Sequence, residues 1–137
     1  MPYDTHVKVR FCEVDSYQIV WHGHYIAWFE MARNELTSRF DLDPEQLKAM
    51  GLMAPVVDLS CQFKLPARYG DEVVVRLTMQ RCETAKLIFH YTVMKDHEVL
   101  AEGSSTHVLT DLEGTMLYKV PAKVQGKLAQ MFASLGV

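Results

Sequence analysis

The chain has 137 residues, the length of one ordinary domain, so the sequence predicts a single domain over residues 1–137. A hydrophobic fraction of 49% with 23% charged residues is typical of globular proteins and excludes a disordered chain. The net charge of −3 without a basic run argues against a nucleic-acid partner. No apolar stretch is long enough to span a membrane or to resemble a secretion signal, so we expect a cytoplasmic protein.

An N-terminal strand and a long helix are the first two elements that the sequence predicts. Val7, Val9 and Phe11 alternate with polar residues, which is typical of a half-buried strand. This strand is predicted to end near Val14 and to lead into Asp15. From His24 to Phe40 the chain has no Pro or Gly, and apolar residues recur on one helical face. The first two turns of this helix are apolar on almost all sides, so we expect its N-terminal half to be buried.

The rest of the chain is predicted to form four consecutive strands and a short helix. Alternating or Val-rich segments predict strands over residues 57–65, 72–83, 86–95 and 98–110, with a turn at 66–71 and an amphipathic helix after Pro121. Strands and helices do not alternate along the chain, which argues against a parallel sheet. We therefore predict the α+β class, with a five-stranded antiparallel sheet around one long buried helix and a short C-terminal helix.

The three cysteines are far apart in the sequence and form no C-x-x-C pair. Cys12, Cys61 and Cys82 are therefore expected to be reduced and mostly buried thiols. Cys12 lies within the predicted first strand, where a small core residue is a simpler interpretation than a thiol nucleophile.

Two segments carry a resemblance to a known family. Residues 10–36 contain an Asp at the end of a strand, a small apolar pair, an aromatic-His pair, a Tyr and an aromatic-Glu-x-x-Arg helix, here Asp15, Ile19-Val20, Trp21-His22, Tyr25 and Phe29-Glu30-Met31-Ala32-Arg33. Residues 63–71, FKLPARYGD, look like a second signature. With these motifs the chain resembles the hotdog-fold acyl-CoA thioesterases of the 4-hydroxybenzoyl-CoA thioesterase family, including the enzymes associated with Tol-Pal systems.

The resemblance implies a hotdog fold over essentially the whole chain, an acyl-CoA substrate and no metal or redox cofactor. It also implies a homodimer or homotetramer with the acyl site between two protomers. The predicted sheet leads to the same expectation, because an open edge strand can satisfy its free N–H and C=O groups by pairing across a two-fold axis. One position departs from the family: Gln18 stands where Gly is common, so Gln18 either accepts a positive φ or alters the path of the loop.

Asp15 is the candidate catalytic group. Taken alone, an Asp at such a position is more often a turn residue that accepts a local backbone hydrogen bond, but the surrounding motif favours catalysis. The carboxylate could attack the thioester as a nucleophile or activate water as a general base, and the sequence leaves both routes open. The resemblance implies that the backbone N–H of His22 polarises the thioester carbonyl. Glu30 is the reserve catalytic carboxylate, although its structural pairing with Arg33, Asn34 or a neighbouring strand is the favoured interpretation.

A negatively charged protein needs a local basic cluster to bind the phosphates of CoA. Together with Tyr25 of the motif, the candidate substrate-binding residues are Lys64, Arg68, Arg81 and Lys86.

Other functions remain as alternatives. His22 and His24 could form a metal pair, but no third ligand stands at a recognisable spacing, so partial capping of the helix by His24 is preferred. A hotdog enoyl-CoA hydratase or dehydratase would use acidic and His side chains near the same helix start. A non-catalytic protein that binds acyl thioesters would keep the fold without turnover.

Overall fold

A five-stranded antiparallel sheet is the largest part of the computed structural model, which describes residues 1–137. Its strands are β1 (Tyr3–Lys8), β3 (Val56–Phe63), β4 (Glu72–Gln80), β5 (Lys86–Lys95) and β6 (Glu98–Val108). The spatial order is β1-β4-β5-β6-β3, so β1 and β3 are the two edges. Two short strands, β2 (Leu52–Met53) and β7 (Thr110–Asp111), pair separately. The predicted α+β class with five antiparallel strands is confirmed.

The long helix α1 (His22–Ser38) lies against the concave face of this sheet. Phe29 stacks on Tyr91 of β5 with ring centroids 4.3 Å apart, and it also lies directly on the backbone of Gly103 in β6. A Cβ at Gly103 would come within 2.5 Å of the Phe29 ring, so only glycine allows this approach. The N-terminal half of α1 is buried, as expected, on the side that faces the sheet. On the opposite side of the helix, Met31 is 45% exposed.

The edge strand β3 differs from the expectation of a half-buried strand. Its alternation of apolar and polar residues is real, but Val57, Leu59 and Phe63 are all exposed, and only Cys61 is partly covered. The reason is topological, because β3 pairs only with β6 and has no second neighbour in the protomer. An apolar edge is therefore left uncovered by this chain.

The first strand ends earlier than predicted. It stops at Lys8, which is opposite Glu72 at the start of β4, because there the partner strand ends. The chain then forms a single 3-10 turn at Phe11–Glu13, which places Cys12 on the surface. The expectation of mostly buried thiols is thus wrong, since Cys12 is exposed and Cys61 and Cys82 are only partly buried.

Two helices complete the fold. The short helix α2 (Pro44–Ala49) was not predicted, because six residues give no periodic signal, although Asp43 and Gln46 form a capping box that the sequence does contain. The predicted closing helix is confirmed as α3 (Ala122–Leu135). None of the helices is both long and apolar enough to cross a membrane.

Candidate active site

The loop between β1 and α1 is held in place by backbone hydrogen bonds to the segment after β3 and within the loop itself. The N–H of Val20 donates to the carbonyl of Ala67 at 2.8 Å, and the N–H of Trp21 donates to the carbonyl of Glu13 at 2.9 Å. Val14 and Val20 form an isolated antiparallel bridge across the base of the loop. These contacts fix the position of Asp15 relative to the start of α1.

Asp15 is both a turn residue and an available carboxylate. Its Oδ1 accepts a hydrogen bond from the N–H of Tyr17 at 2.8 Å, and its own N–H donates to the carbonyl of Ile19 at 2.9 Å. Its Oδ2 has no hydrogen-bond partner in the protein. The local hydrogen bond that the sequence favoured for an isolated Asp is therefore present, and it leaves one oxygen free for chemistry.

Gln18 closes this turn with a left-handed backbone. Its φ is 66°, and its N–H donates to the carbonyl of Asp15 at 3.0 Å. Of the two outcomes expected for a non-glycine residue here, the structure has the positive φ. This conformation is unfavourable for most residues with a side chain, so the loop keeps its path at an energetic cost.

The start of α1 presents unpaired backbone donors. Trp21 occupies the N-cap without a side-chain hydrogen bond, and the N–H groups of His22 and Gly23 donate to no protein acceptor. Such groups, together with the helix dipole, attract a developing negative charge. The expected capping by His24 is wrong: its ring packs edge-on against Trp21, with centroids 5.5 Å apart.

Asp15 and His22 line one cleft of about 370 Å³, which we call the Asp15 cleft. Apolar and aromatic residues form most of its wall, together with one lysine: Tyr17, Ile19, Val20, Tyr25, Phe63, Lys64, Leu65 and Pro66. Of the predicted site residues, Asp15, His22, Tyr25 and Lys64 are thus brought together. The imidazole of His22 is exposed and forms no hydrogen bond with Asp15.

Tyr25 and Lys64 are both engaged within the protein. The hydroxyl of Tyr25 accepts a hydrogen bond from the N–H of Ala67 at 3.2 Å, and burial raises the pKa of this phenol, although the hydrogen bond acts against the shift. The Nζ of Lys64 lies 3.3 Å from a carboxylate oxygen of Glu102. Because both side chains of this ion pair are about half exposed, Lys64 can exchange Glu102 for another partner.

The other three basic candidates lie outside the Asp15 cleft. Arg68 is exposed in the loop that borders the cleft but does not line it. Arg81 and Lys86 flank the turn after β4, and a nine-residue strand places that turn roughly 25–30 Å from the cleft end of the sheet. Arg81 lies over the ring of Phe132, 4.7 Å from its centroid. Within one protomer, the structure does not bring Arg81 or Lys86 to Asp15.

Glu30 also lies apart from Asp15. It is exposed on α1 and lines a second cavity together with Arg33 and Asn34. The favoured pairing of Glu30 with Arg33, Asn34 or a neighbouring strand is wrong, because its carboxylate accepts no hydrogen bond from the protein and no cation lies within 4.0 Å of it.

Glu13 is a buried carboxylate just before the start of α1 to which the sequence motifs did not point. Its carboxylate is 3% exposed and accepts hydrogen bonds from the indole N–H of Trp28 at 3.0 Å and from the N–H of Arg10 at 2.8 Å. Burial raises the pKa of Glu13, but the backbone donor and the two side-chain partners outweigh it and leave the pKa below its usual value. The sequence did contain one indication of this contact, because Trp28 in a helix predicted to be buried needs an acceptor for its indole N–H.

A family model described as "Thioesterase-like superfamily" matches residues 9–128. The Bacillus subtilis protein YneP, whose name places it provisionally among acyl-CoA thioesterases, is 28% identical over 108 residues, which are 78% of this chain and 78% of that protein.

Two solved structures share the fold over nearly their full length. The hypothetical protein TT1821 from Thermus thermophilus has a TM-score of 0.84 and 31% identity, covering 94% of this chain and 98% of that one. Slr0204, a 1,4-dihydroxy-2-naphthoyl-CoA thioesterase from Synechocystis, has a TM-score of 0.86 and 19% identity, covering 100% and 99%. The sheet wrapped around α1 is therefore a hotdog fold.

Proposed function

This chain belongs to the thioesterase-like superfamily and is a thioesterase, and we propose that it hydrolyses acyl-CoA with Asp15 as its catalytic carboxylate. One observation carries the proposal. Asp15, whose Oδ2 is free, and His22, whose N–H is unpaired, line the same cleft, so a carboxylate and an oxyanion donor are available to one thioester. The name of YneP supports CoA as the thiol carrier.

The proposed reaction starts with the thioester carbonyl oxygen at the N-terminus of α1. The N–H of His22 donates to this oxygen, and the helix dipole stabilises the negative charge that develops there. Because the donor is part of the backbone, the exposed imidazole of His22 is not required.

Asp15 then acts by one of two routes. As a nucleophile, its Oδ2 bonds to the carbonyl carbon, the C–S bond breaks, CoA leaves as the thiolate, and water later hydrolyses the mixed anhydride. As a general base, Oδ2 takes a proton from water, the hydroxide oxygen bonds to the carbonyl carbon, and the same C–S bond breaks. Both routes give the free acid and CoA.

The proposed active form is a homodimer, alone or within a homotetramer, joined through β3. The uncovered β3 presents free N–H and C=O groups along an apolar edge, and antiparallel pairing with a second copy satisfies them. A two-fold axis at the centre of β3 places Val56 of one protomer beside Phe63 of the other. Light scattering of the active protein tests this assembly, and a fully active monomer would contradict it.

The direct test of function is release of free CoA, measured with a thiol reagent, from a panel of short, long, branched and aromatic acyl-CoAs. We expect release from at least one substrate with a chelator present, because the proposed chemistry uses only Asp15 and backbone donors. Turnover that depends on an added divalent ion would contradict the mechanism. Hydration of an enoyl-CoA without thiol release would instead support a hydratase, and binding without any turnover would support a sensor.

A further inference from the structure

A second cavity, of about 240 Å³, lies between α1, α2 and the ends of β5 and β6, and we call it the Arg33 cavity. It shares no residue with the Asp15 cleft. Its wall is largely apolar, with Leu42, Leu47, Leu87, Phe89, Pro44 and Val56. Polar side chains of α1 and β6 enter it as well, including Arg33, Asn34 and His107. A cavity of this kind fits an apolar body with one polar group.

A chain of hydrogen bonds leads from this cavity into the core. The Nη1 of Arg33 donates to the hydroxyl of Tyr91 at 3.1 Å, and this hydroxyl lies 2.7 Å from the Oγ of Ser105. Ser105 Oγ lies 3.0 Å from Nε2 of His107, whose Nδ1 lies 2.9 Å from the carbonyl oxygen of Ala54. Tyr91, Ser105 and His107 are all buried.

Only one assignment of donors and acceptors satisfies every hydrogen bond in this chain. A carbonyl oxygen only accepts, so Nδ1 of His107 carries a proton, and burial lowers the pKa of this imidazole and keeps Nε2 free to accept. Ser105 therefore donates to His107, and Tyr91 donates to Ser105. The oxygen of Tyr91 is then left to accept from Arg33, which fixes the guanidinium in place.

Arg33 is anchored at one nitrogen and has no partner for the others. Its only protein hydrogen bond is the one to Tyr91, and no carboxylate oxygen lies within 4.0 Å of it. Arg33 is only partly buried, and no fully buried side-chain nitrogen of the protein lacks a partner, so its free N–H groups are accessible to an acceptor that enters the cavity. The remaining N–H groups of Arg33 thus offer hydrogen bonds to whatever occupies the cavity.

We propose that the Arg33 cavity binds the acyl part of the substrate and selects an acyl group whose far end carries a hydroxyl that accepts a hydrogen bond from Arg33. This inference rests on the proposed thioesterase function and on pairing through β3. That pairing brings the Val56 end of β3, which lines the Arg33 cavity, beside the Phe63 end of the other copy, which lines the Asp15 cleft. An acyl group whose carbonyl is at Asp15 in one protomer can then extend into the Arg33 cavity of the other.

The charge within the cavity favours a hydroxyl over a carboxylate. Glu30 lines the same cavity without an ion-pair partner, so a second carboxylate would be repelled. A plain hydrocarbon end would bury Arg33 without giving it an acceptor, and a site built to bind a hydroxyl discriminates against an analogue that lacks it. Arg33 is accordingly a specificity-determining residue, and Tyr91 and Ser105 are positioning residues.

Matched pairs of substrates test the inference: hexanoyl-CoA against 6-hydroxyhexanoyl-CoA, and phenylacetyl-CoA against 4-hydroxyphenylacetyl-CoA. We expect wild-type kcat/KM to favour the hydroxylated member of at least one pair by about 10-fold to 100-fold, a modest part of what such a site can achieve. Arg33→Met should remove this preference by lowering kcat/KM for the hydroxylated member and raising it for the plain member, whose apolar end no longer buries a guanidinium. Tyr91→Phe should reduce the preference without abolishing it.

The outcomes separate the two proposals. Thiol release without preference in either pair, or equal losses for both members in Arg33→Met, would overturn the inference and leave the thioesterase function intact. If no acyl-CoA releases thiol, the proposed function fails, and calorimetric titration of the four free acids into the wild-type protein still decides the inference. Tighter binding of the hydroxylated acids supports it, and equal or absent binding contradicts it.

Discussion

Two regions beside helix α1 treat their polar groups in opposite ways. Near its N-terminus, Asp15 keeps one free oxygen and His22 keeps a free N–H, and both residues line an open cleft. Further along the helix, Arg33 donates to Tyr91 of β5, which forms a continuous buried chain of hydrogen bonds with Ser105 and His107 of β6. No buried side-chain nitrogen or oxygen in the protein lacks a hydrogen-bond partner.

This difference indicates what each region contributes. Free polar groups at a cleft can change partners as a reaction proceeds, which chemistry requires. A satisfied buried chain holds its members in one geometry and is costly to interrupt. Substitutions at the first region should therefore lower the rate with little effect on folding, whereas substitutions at buried carboxylates or imidazoles should lower the free energy of unfolding.

The largest expected effect is on turnover. Asp15→Asn should reduce kcat by about 10²-fold to 10⁴-fold, because the amide is neither a nucleophile nor a base. Its Oδ1 can still accept from Tyr17, so the midpoint of urea unfolding should stay near the wild-type value. Thiol-release kinetics and urea denaturation measure the two quantities on the same preparation.

Two control variants accompany that measurement. His22→Ala should cost far less activity, because its backbone N–H remains. Glu30→Gln should also cost far less activity than Asp15→Asn, since this carboxylate lines the Arg33 cavity and not the Asp15 cleft. A nearly inactive Glu30→Gln with an active Asp15→Asn would reverse the assignment.

The next effect should appear in stability and activity together. Glu13→Ala leaves the buried indole N–H of Trp28 and the N–H of Arg10 without their acceptor, so we expect a loss of about 2–4 kcal/mol in the free energy of unfolding. Activity should fall at the same time because the loop that carries Asp15 loses its anchor. Glu13→Gln, which keeps one acceptor oxygen, should lie between the two, and equal stability for all three proteins would disprove the anchoring role.

Much of the fold could be predicted from the sequence because periodicity reports which residues face a core. The strands β4, β5 and β6 and the helices α1 and α3 follow from that pattern. The end of β1 and the exposure of β3 could not be predicted, because both depend on which strands are neighbours in the sheet. An alternating strand looks the same in sequence whether its apolar face meets a core or a second copy.

Site residues could be predicted from the sequence only where they lie close together in one motif. Asp15, His22 and Tyr25 lie within a short segment of recognisable spacing, and the structure places them in one cleft. The pair Glu13 and Trp28 and the chain from Arg33 to His107 join residues far apart in sequence. No spacing rule links such residues, so only the three-dimensional arrangement reveals them.

His107 gives the buried chain a measurable pH dependence. Burial lowers the pKa of His107, and the nearby positive charge of Arg33 lowers it further. The hydrogen bond to the carbonyl of Ala54 raises the pKa but does not cancel these two influences. The folded protein therefore holds fewer protons at this residue than the unfolded chain, whose imidazole titrates near 6.5. The stabilisation is complete above that pH and is lost as the pH falls through 6.5 towards the lowered folded value.

The corresponding experiment compares unfolding curves of the wild type and His107→Gln between about pH 8 and 5.5. The variant should be less stable at pH 8, because the amide of Gln cannot place an acceptor towards Ser105 and a donor towards Ala54 with the geometry of the imidazole. The difference between the two proteins should shrink as the pH falls. The range stays above the region in which Glu13 titrates. A difference that grows towards acid pH would mean that the folded protein prefers the charged imidazole.

The smallest expected effect concerns the loop at the N-terminal end of α1. Gln18 has a φ of 66°, which glycine adopts without a steric cost, so Gln18→Gly should remove strain. Glycine also gains freedom in the unfolded chain, and the net gain in the free energy of unfolding should be about 1 kcal/mol or less, a few degrees in Tm. Turnover should stay within about twofold of the wild type, because the N–H that donates to Asp15 remains.

Gln18→Val is the control variant with the opposite expected effect, since a β-branched side chain at positive φ should lower both Tm and kcat. Equal Tm values for the Gly and Val variants would show that the turn holding Asp15 does not use a left-handed residue in solution.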